Sequence, residues 1–364
     1  MALGIGKDLE TEILVRLPAK SVMRFKCVKR SWNALFKTPT FVTRHKHMRS
    51  GTQERLIMFH SNQRHSFGLS VSLPSCVGYP PQDSERHQQF INPFTDEFPC
   101  LWTRLLCYDY INGILCLLVA NGFNGNAQLI LWNPCTREVK LFPLPPIDPS
   151  EYIALLFGVW VDPNTNDFKA VKILVDTHNS VFPAKVYNLN TNSCTVLNDP
   201  SLPAFIAPTP SLSRHRALVG AVYHWIIGYY KNIHEILCFS FRHNRFSILE
   251  VPKAVFSFSE FFDIAEVNGS FAYVVQYSNP FRLGIWVKYQ HNWTKKYNIG
   301  PLDPSFGIYG ILNDATKVIG SKVRQTLILC DSDGLLIRQF QINEQFNLCL
   351  GVHQFVESIT PLSV

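Results

Sequence analysis

The chain has 364 residues, 46% apolar and 17% charged, with a formal net charge of +7. This balance describes a globular protein with one large domain, or a small and a large one, and excludes a disordered chain. No apolar run approaches the roughly 18 residues of a membrane span, and the opening MALGIGKDLE lacks a secretory apolar core, so a soluble protein of the cytoplasm or nucleus, with no membrane partner, is expected.

The charge is uneven. Residues 1–50 hold eleven Lys/Arg and three acids, a net of +8, and the remainder nets −1, which places a composition boundary near residue 50. Within the basic stretch, Leu9, Ile13, Leu14 and Leu17 recur at helical spacing, and Pro18 stops that first short helix. A second apolar set (Val22, Met23, Phe25, Val28) and a third (Trp32, Leu35, Phe36) follow before Pro39. Three short helices in about forty residues bury little surface alone, so this unit is expected to need an oily partner. Its basic residues fall on all helical faces, which suits a solvated surface attracted to an acidic protein better than a nucleic-acid reader; no nucleic-acid partner is expected.

After residue 50 aromatic and β-branched runs take over, broken by Asn, Gly, Pro and Asp clusters, as in an all-β domain. Four segments repeat: LILWNPCTREVKL (129–141), AKVYNLNTNSCTV (184–196), EILCFSFRHNRFSI (235–248) and LGIWVKYQHNWTK (283–295). Aligned on Trp132, Tyr187, Phe239 and Trp286, they carry apolar residues three and one positions earlier, and Val139, Cys194, Phe246 and Trp293 seven later. Each reads as a strand, a polar turn and a returning strand with period-two alternation. Weaker copies flank them, ERLIMFHSNQ (54–63), far out of phase, and TLILCDSDGLLI (326–337). A second element, YINGILCL (110–117), LVGAVYHW (218–225) and EVNGSFAYV (266–274), reads as further hairpins. A repeat near 50 residues made of antiparallel strands predicts a kelch-like β-propeller of about six blades, with a two-sheet β-sandwich as the alternative.

Chemistry-bearing motifs are sparse. The ten cysteines form no CxxC pair and mostly sit among apolar residues, which predicts buried free thiols. The twelve histidines form no HExxH, GIGKDLE lacks the spacing of a phosphate loop, and no GxSxG is present. No metal, cofactor or catalytic residue is expected. A propeller-type ligand-binding protein or enzyme whose residues converge from several loops, leaving no local motif, is the alternative.

The stretch LETEILVRLPAKSVMRFKCVKRSWNALFKTPTFVTRH (9–45) resembles the F-box of large plant families, although the slots that usually hold Leu-Pro carry Ile5 and Gly6. The phrases NGILCL, LWNPCTREVKLFPLPP, FGVWVDPNTNDFKAVKI and KVYNLNTNSCTVL, in that order, resemble the plant F-box-associated domain. The resemblance implies an F-box over 5–48 and an associated β domain over 50–364. It implies a non-catalytic substrate receptor of a ubiquitin ligase, bound to a Skp-type adaptor and through it to a cullin. The residues it assigns to the adaptor are Leu9, Ile13, Leu14, Leu17, Pro18, Val22 and Leu35, while Phe25 and Trp32 hold the small core. Loops at 122–127, 204–216 and 276–282 are candidates for holding the target. A narrower resemblance, to S-locus F-box and S-locus F-box-like proteins, implies a ribonuclease target in pollen self-incompatibility.

Overall fold

The computed structural model of the chain describes residues 6–49, 56–61, 67–72, 87–90, 103–121, 126–145, 154–176, 178–206, 216–230, 233–252, 259–278, 280–290, 292–303, 307–312, 317–321, 326–341 and 348–362. It opens with α1 (Lys7–Val15), α2 (Ala19–Phe25), α3 (Arg30–Leu35) and α4 (Pro39–Arg49), four helices where three were expected. The correction turns on proline. Pro39 does not close a helix; it takes the first position of α4, where a missing amide donor costs nothing. Thr38 Oγ1 accepts from Phe41 N at 3.4 Å and caps that turn. Pro18, in extended backbone, likewise stands at the start of α2, after α1 has ended at Val15.

Leu14, Val15, Ala19, Val22, Phe36, Phe41 and Val42 form the helical core, with Phe25, Trp32 and Leu35 packed against it. His45 is wholly buried in α4, its Nε2 2.8 Å from the Leu17 carbonyl, and so ties the last helix to the end of the first. Ile359, from the far end of the chain, completes this core. Part of the partner that the helices need is therefore their own chain.

Among the described residues twenty-four strands follow. The first three are β1 (Leu56–Ser61), β2 (Phe67–Ser72) and β3 (His87–Phe90). Next come β4 (Thr103–Ile111), β5 (Ile114–Asn121), β6 (Ala127–Asn133) and β7 (Glu138–Leu144), then β8 (Ala154–Val161), β9 (Phe168–Val175), β10 (Ala184–Asn188) and β11 (Ser193–Leu197). They continue as β12 (Arg216–Val219), β13 (Val222–Tyr230), β14 (Ile233–Ser240) and β15 (Arg245–Glu250), then β16 (Ser259–Val267), β17 (Ser270–Ser278), β18 (Phe281–Tyr289) and β19 (Asn292–Ile299). The last are β20 (Gly307–Ile311), β21 (Lys317–Ser321), β22 (Thr326–Asp331), β23 (Leu336–Gln341) and β24 (Leu348–Gln354).

Five sheets are antiparallel meanders of four consecutive strands, from β4–β7 to β20–β23. In a further sheet β24 pairs with β1, giving the order β24-β1-β2-β3 from both ends of the chain. The cores show how the sheets stack. One is shared by β4–β7 and β8–β11, the next by β8–β11 and β12–β15, the next by β12–β15 and β16–β19, and the next by β16–β19 and β20–β23. Each middle sheet thus gives one face to the core before it and one to the core after it. That is a β-propeller, and it corrects the two-sheet alternative, which has a single shared core. First strands meet one another around the inside: β4 lies against β8, β12 against β16, and β20 against β24.

Trp132, Tyr187, Phe239 and Trp286 all lie on the third strand of their sheets, β6, β10, β14 and β18. Three of them pair across the ladder with the residue seven later: Trp132 with Val139, Tyr187 with Cys194, Phe239 with Phe246. In the fourth a bulge beside Trp286 shifts the register, and its partner is Lys295. The expected alternation is confined to the outer strands. β6 is buried on both faces almost throughout, whereas β7 and β15 leave most of their residues exposed or half-buried at the rim.

Candidate functional site

The seven residues assigned to the adaptor divide by environment. Leu9 and Ile13, one helical turn apart on α1, are 56% and 47% exposed and form an uncovered apolar stripe. Pro18 is exposed and Leu17 and Leu35 are half-buried, whereas Leu14 and Val22 lie inside the helical core. Val28, at 65% exposed, widens the uncovered apolar surface. Gly6 holds φ −57° and ψ 144° before α1, a conformation that proline also adopts.

Salt bridges neutralise two of the unit's three acids. Lys29 Nζ stands 2.8 Å from Glu10 Oε1, and Arg44 bridges Glu12. The bond from Lys29 holds the Glu10 carboxyl below its usual range. Arg16, Lys20, Arg24, Arg30 and Lys37 remain exposed, so the apolar stripe sits in a basic surround.

The helices are fastened to one face of the propeller. Lys46 Nζ donates to Asn112 Oδ1 in the β4–β5 turn, Thr43 Oγ1 to the Pro163 carbonyl in the β8–β9 turn at 3.4 Å, and Lys26 Nζ lies 4.0 Å from Glu138 at the β6–β7 turn. The segment after β24 runs between the two bodies. Glu357 Oε2 accepts from Ala19 N at 3.1 Å, satisfying a free amide at the start of α2. Buried Asn133 donates through Nδ2 to the Ser358 and Thr360 carbonyls at 3.2 and 3.0 Å, and Leu362 N donates to Glu138 Oε2 at 3.0 Å. Tyr110 OH both donates to Val356 O and accepts from Val356 N. None of this is visible in the sequence; the nearest signal is the unusual pairing of polar Asn133 with Pro134 directly after an apolar run.

The opposite face gathers the turns between second and third strands and the crossings between sheets. The strand ends flanking 122–127, 204–216 and 276–282 all open there, although residues 122–125, 207–215 and 279 lie outside those described. One described part is well built: Val181 N donates to Ala204 O and Ile206 N to Asn179 O, both at 3.0 Å, joining two loops of the β8–β11 sheet. This shelf leaves Phe182, Pro183 and Phe205 exposed.

Inside the ring, Asp109 of β4 accepts from Tyr223 OH at 2.5 Å and lies 3.8 Å from Arg216 Nε of β12. Burial raises its carboxyl and Arg216 opposes the rise. Gly158 of β8 makes the tie possible, since a Cβ there would stand 2.7 Å from the Tyr223 ring. His353 of β24 packs near Tyr108 and Tyr110, and burial pushes it down to about 4. These groups tie blades together; Asp109 spends its acceptors on structural donors. Among the described residues no group of His, Cys, Asp and Glu could hold a metal ion. Of the described cysteines, Cys116, Cys238 and Cys330 are buried, but Cys27 and Cys194 are exposed, which corrects the expectation for those two: both sit at the outer edge of their elements, one after α2 and one on a rim strand.

The sequence profile of a family described as "F-box associated beta propeller domain" matches residues 105–361. An F-box protein of Arabidopsis thaliana is 25% identical over 304 residues, spanning 77% of this chain and 70% of its own length. F-box only protein 8 of the same plant is 30% identical over 173 residues, 45% of this chain and 52% of its own length. Three further Arabidopsis F-box relatives are matched over 72%, 58% and 43% of their lengths. Among solved structures, a post-proline cleaving enzyme from Rickettsia typhi is 9% identical with a TM-score of 0.45, covering 92% of this chain and 58% of that one.

Proposed function

The chain belongs to the plant F-box proteins that carry an F-box associated β-propeller domain, and from that premise we propose that it is the substrate receptor of a Skp–cullin–F-box ubiquitin ligase. The observation that carries the reading is the pairing of two faces. The helices close their core with Ile359 yet leave Leu9 and Ile13 bare on α1, and they sit on one face of a propeller whose opposite face presents exposed Phe182, Pro183 and Phe205. Exposed apolar residues in a charged surround suit a protein partner. The Skp-type adaptor takes Leu9, Ile13 and Pro18, with Leu17 and Leu35 at the edge; Leu14 and Val22 act from beneath by holding α1 and α2 in place. The protein target docks on the opposite face, and the chain contributes proximity rather than catalytic groups. A ribonuclease target is the narrower form of this reading, drawn from the S-locus resemblance, and a pull-down from style extract with the full chain tests it by whether a ribonuclease is retained.

Replacing Leu9 and Ile13 together by Asp tests the adaptor face. Both are exposed, so the helices should stay folded, while adaptor affinity should fall by about 2 kcal/mol or more. Titration calorimetry with a purified Skp-type adaptor checks it; unchanged affinity would remove the stripe from the interface.

A further inference from the structure

The seam between the β4–β7 and β8–β11 sheets holds a cluster that packing alone does not call for. β9 reads FKAVKILV, apolar but for two lysines. Lys169 faces the next sheet, with its ammonium 5.8 Å from the Trp160 ring centroid. Lys172 faces the other way, on the side of Phe168 and Ala170, and is only 3% exposed. The ladder sets Lys185 of β10 directly opposite Lys172. Tyr187 and Cys194, themselves a pair, follow one step along on the same face. The Lys172 ammonium is 5.9 Å from the Tyr187 ring centroid, and the buried Tyr187 hydroxyl has the Cys194 thiol as its hydrogen-bonding neighbour.

Electrostatically this arrangement is frustrated. Like charges directly opposite on one sheet face repel, and a buried ammonium calls for a counter-charge. Among the described residues no carboxylate pairs with Lys172, and the Cys194 thiol is the acidic group that acts on it. Burial first, and Lys185 second, pull Lys172 down to about 8. The rim supplies a way in: β11 is the outer strand, Cys194 and Val196 on it are exposed, and Lys185 is half-buried above Lys172. Both lysines lie toward the strand ends that open on the face away from the helices.

We propose that this seam is an oxyanion site for a phosphate monoester, whose oxygens bridge the Lys172 and Lys185 ammoniums and accept from the Tyr187 hydroxyl. Two cations and a neutral donor match a group with up to two negative charges and three terminal oxygens, whereas a carboxylate offers one charge and two oxygens. On the receptor reading, on which this inference rests for its biological source, the phosphate is carried by the target.

The test is calorimetric titration of the full chain at fixed ionic strength with inorganic phosphate, N-acetyl phosphoserine amide and N-acetyl serine amide. Saturable binding of the phosphorylated probes is expected, with none of the serine amide. Affinity should drop about tenfold or more in both Lys172→Met and Lys185→Met. Methionine keeps the buried stem, so Lys172→Met should melt in chloride no lower than the wild type. Tighter binding of the phosphoserine probe assigns the site to a protein-borne phosphate; the reverse order assigns it to the free ion. No saturable phosphate binding by the wild type, or equal binding by Lys172→Met, overturns the site. Adaptor affinity measured on the same variants should be unchanged, because α1 lies elsewhere, so failure here leaves the receptor reading standing.

Discussion

His224 is a core side chain that happens to titrate. Its ring lies 4.1 Å from that of Phe271, its Nδ1 is 3.2 Å from the Ala217 carbonyl, and burial pushes it down to about 4. Between the ordinary histidine value near 6.5 and about 4, the unfolded chain binds a proton that the folded chain refuses. Stability therefore falls as the pH drops through that window and levels off below it, with a limit of roughly 3 kcal/mol for this one group. His353 acts in the same direction. Asp109 opposes them: its raised carboxyl contributes stability at low pH that is lost as the pH rises through the folded value. Because these contributions overlap, the informative measurement compares chains. His224→Phe should show a smaller loss of melting temperature between pH 7 and pH 4.5 than the wild type, and parallel curves would remove His224 from the account.

The β4–β5 hairpin turns on Asn112 and Gly113, both with positive φ, in the two-residue form that suits twisted strands. Gly113 carries a second constraint. An added Cβ would lie 2.5 Å from the Val356 carbonyl oxygen and from Ser358 Cβ, so the turn is also the bed of the segment after β24. Gly113→Ala should destabilise by about 2 kcal/mol or more, above the ordinary cost of left-handed alanine alone; denaturant unfolding checks it. At this level the sequence is informative where the period is short. The hairpins at 110–117, 218–225 and 266–274 are first-to-second strand pairs, and the four anchors are third strands, because turn chemistry and strand pairing are local. What escapes is set by distant residues. The 54–63 copy is out of phase because β1 is second in a sheet whose first strand, β24, comes from the chain's other end. The exposed apolar stripe was partly legible, since Leu9 and Ile13 share a helical face. The burial of Leu14 and Val22 depends on α4 and Ile359, which no local pattern announces. Lys172 left a trace, a lysine inside an apolar strand, but its like-charged neighbour becomes visible only in the β9–β10 register.

The segment 355–362 joins what composition divides. Residue 50 separates a basic helical unit from a near-neutral β domain, yet Glu357, Ser358, Ile359 and Thr360 bond or pack to the helices or to the sheet beneath them. Ile359→Asp should place a carboxylate in the helical core and destabilise that unit by roughly 3 kcal/mol, while the propeller retains its own cores. Heating should then separate the transitions, with far-ultraviolet helical signal lost before the tryptophan signal of the sheets; a single transition coincident with wild type would show that Ile359 carries no such role. The same wiring has a consequence for biosynthesis. The ribosome delivers the helices and β1–β3 long before the strand that completes their sheet and the isoleucine that completes the helical core. In between, a nascent chain carries an unpaired β1 edge and an unfinished helical core, and a chain stopped before residue 348 completes neither. On the receptor reading, fragments that carry the helices but lack Ile359 should compete poorly for a Skp-type adaptor, because their helical core stays unfinished.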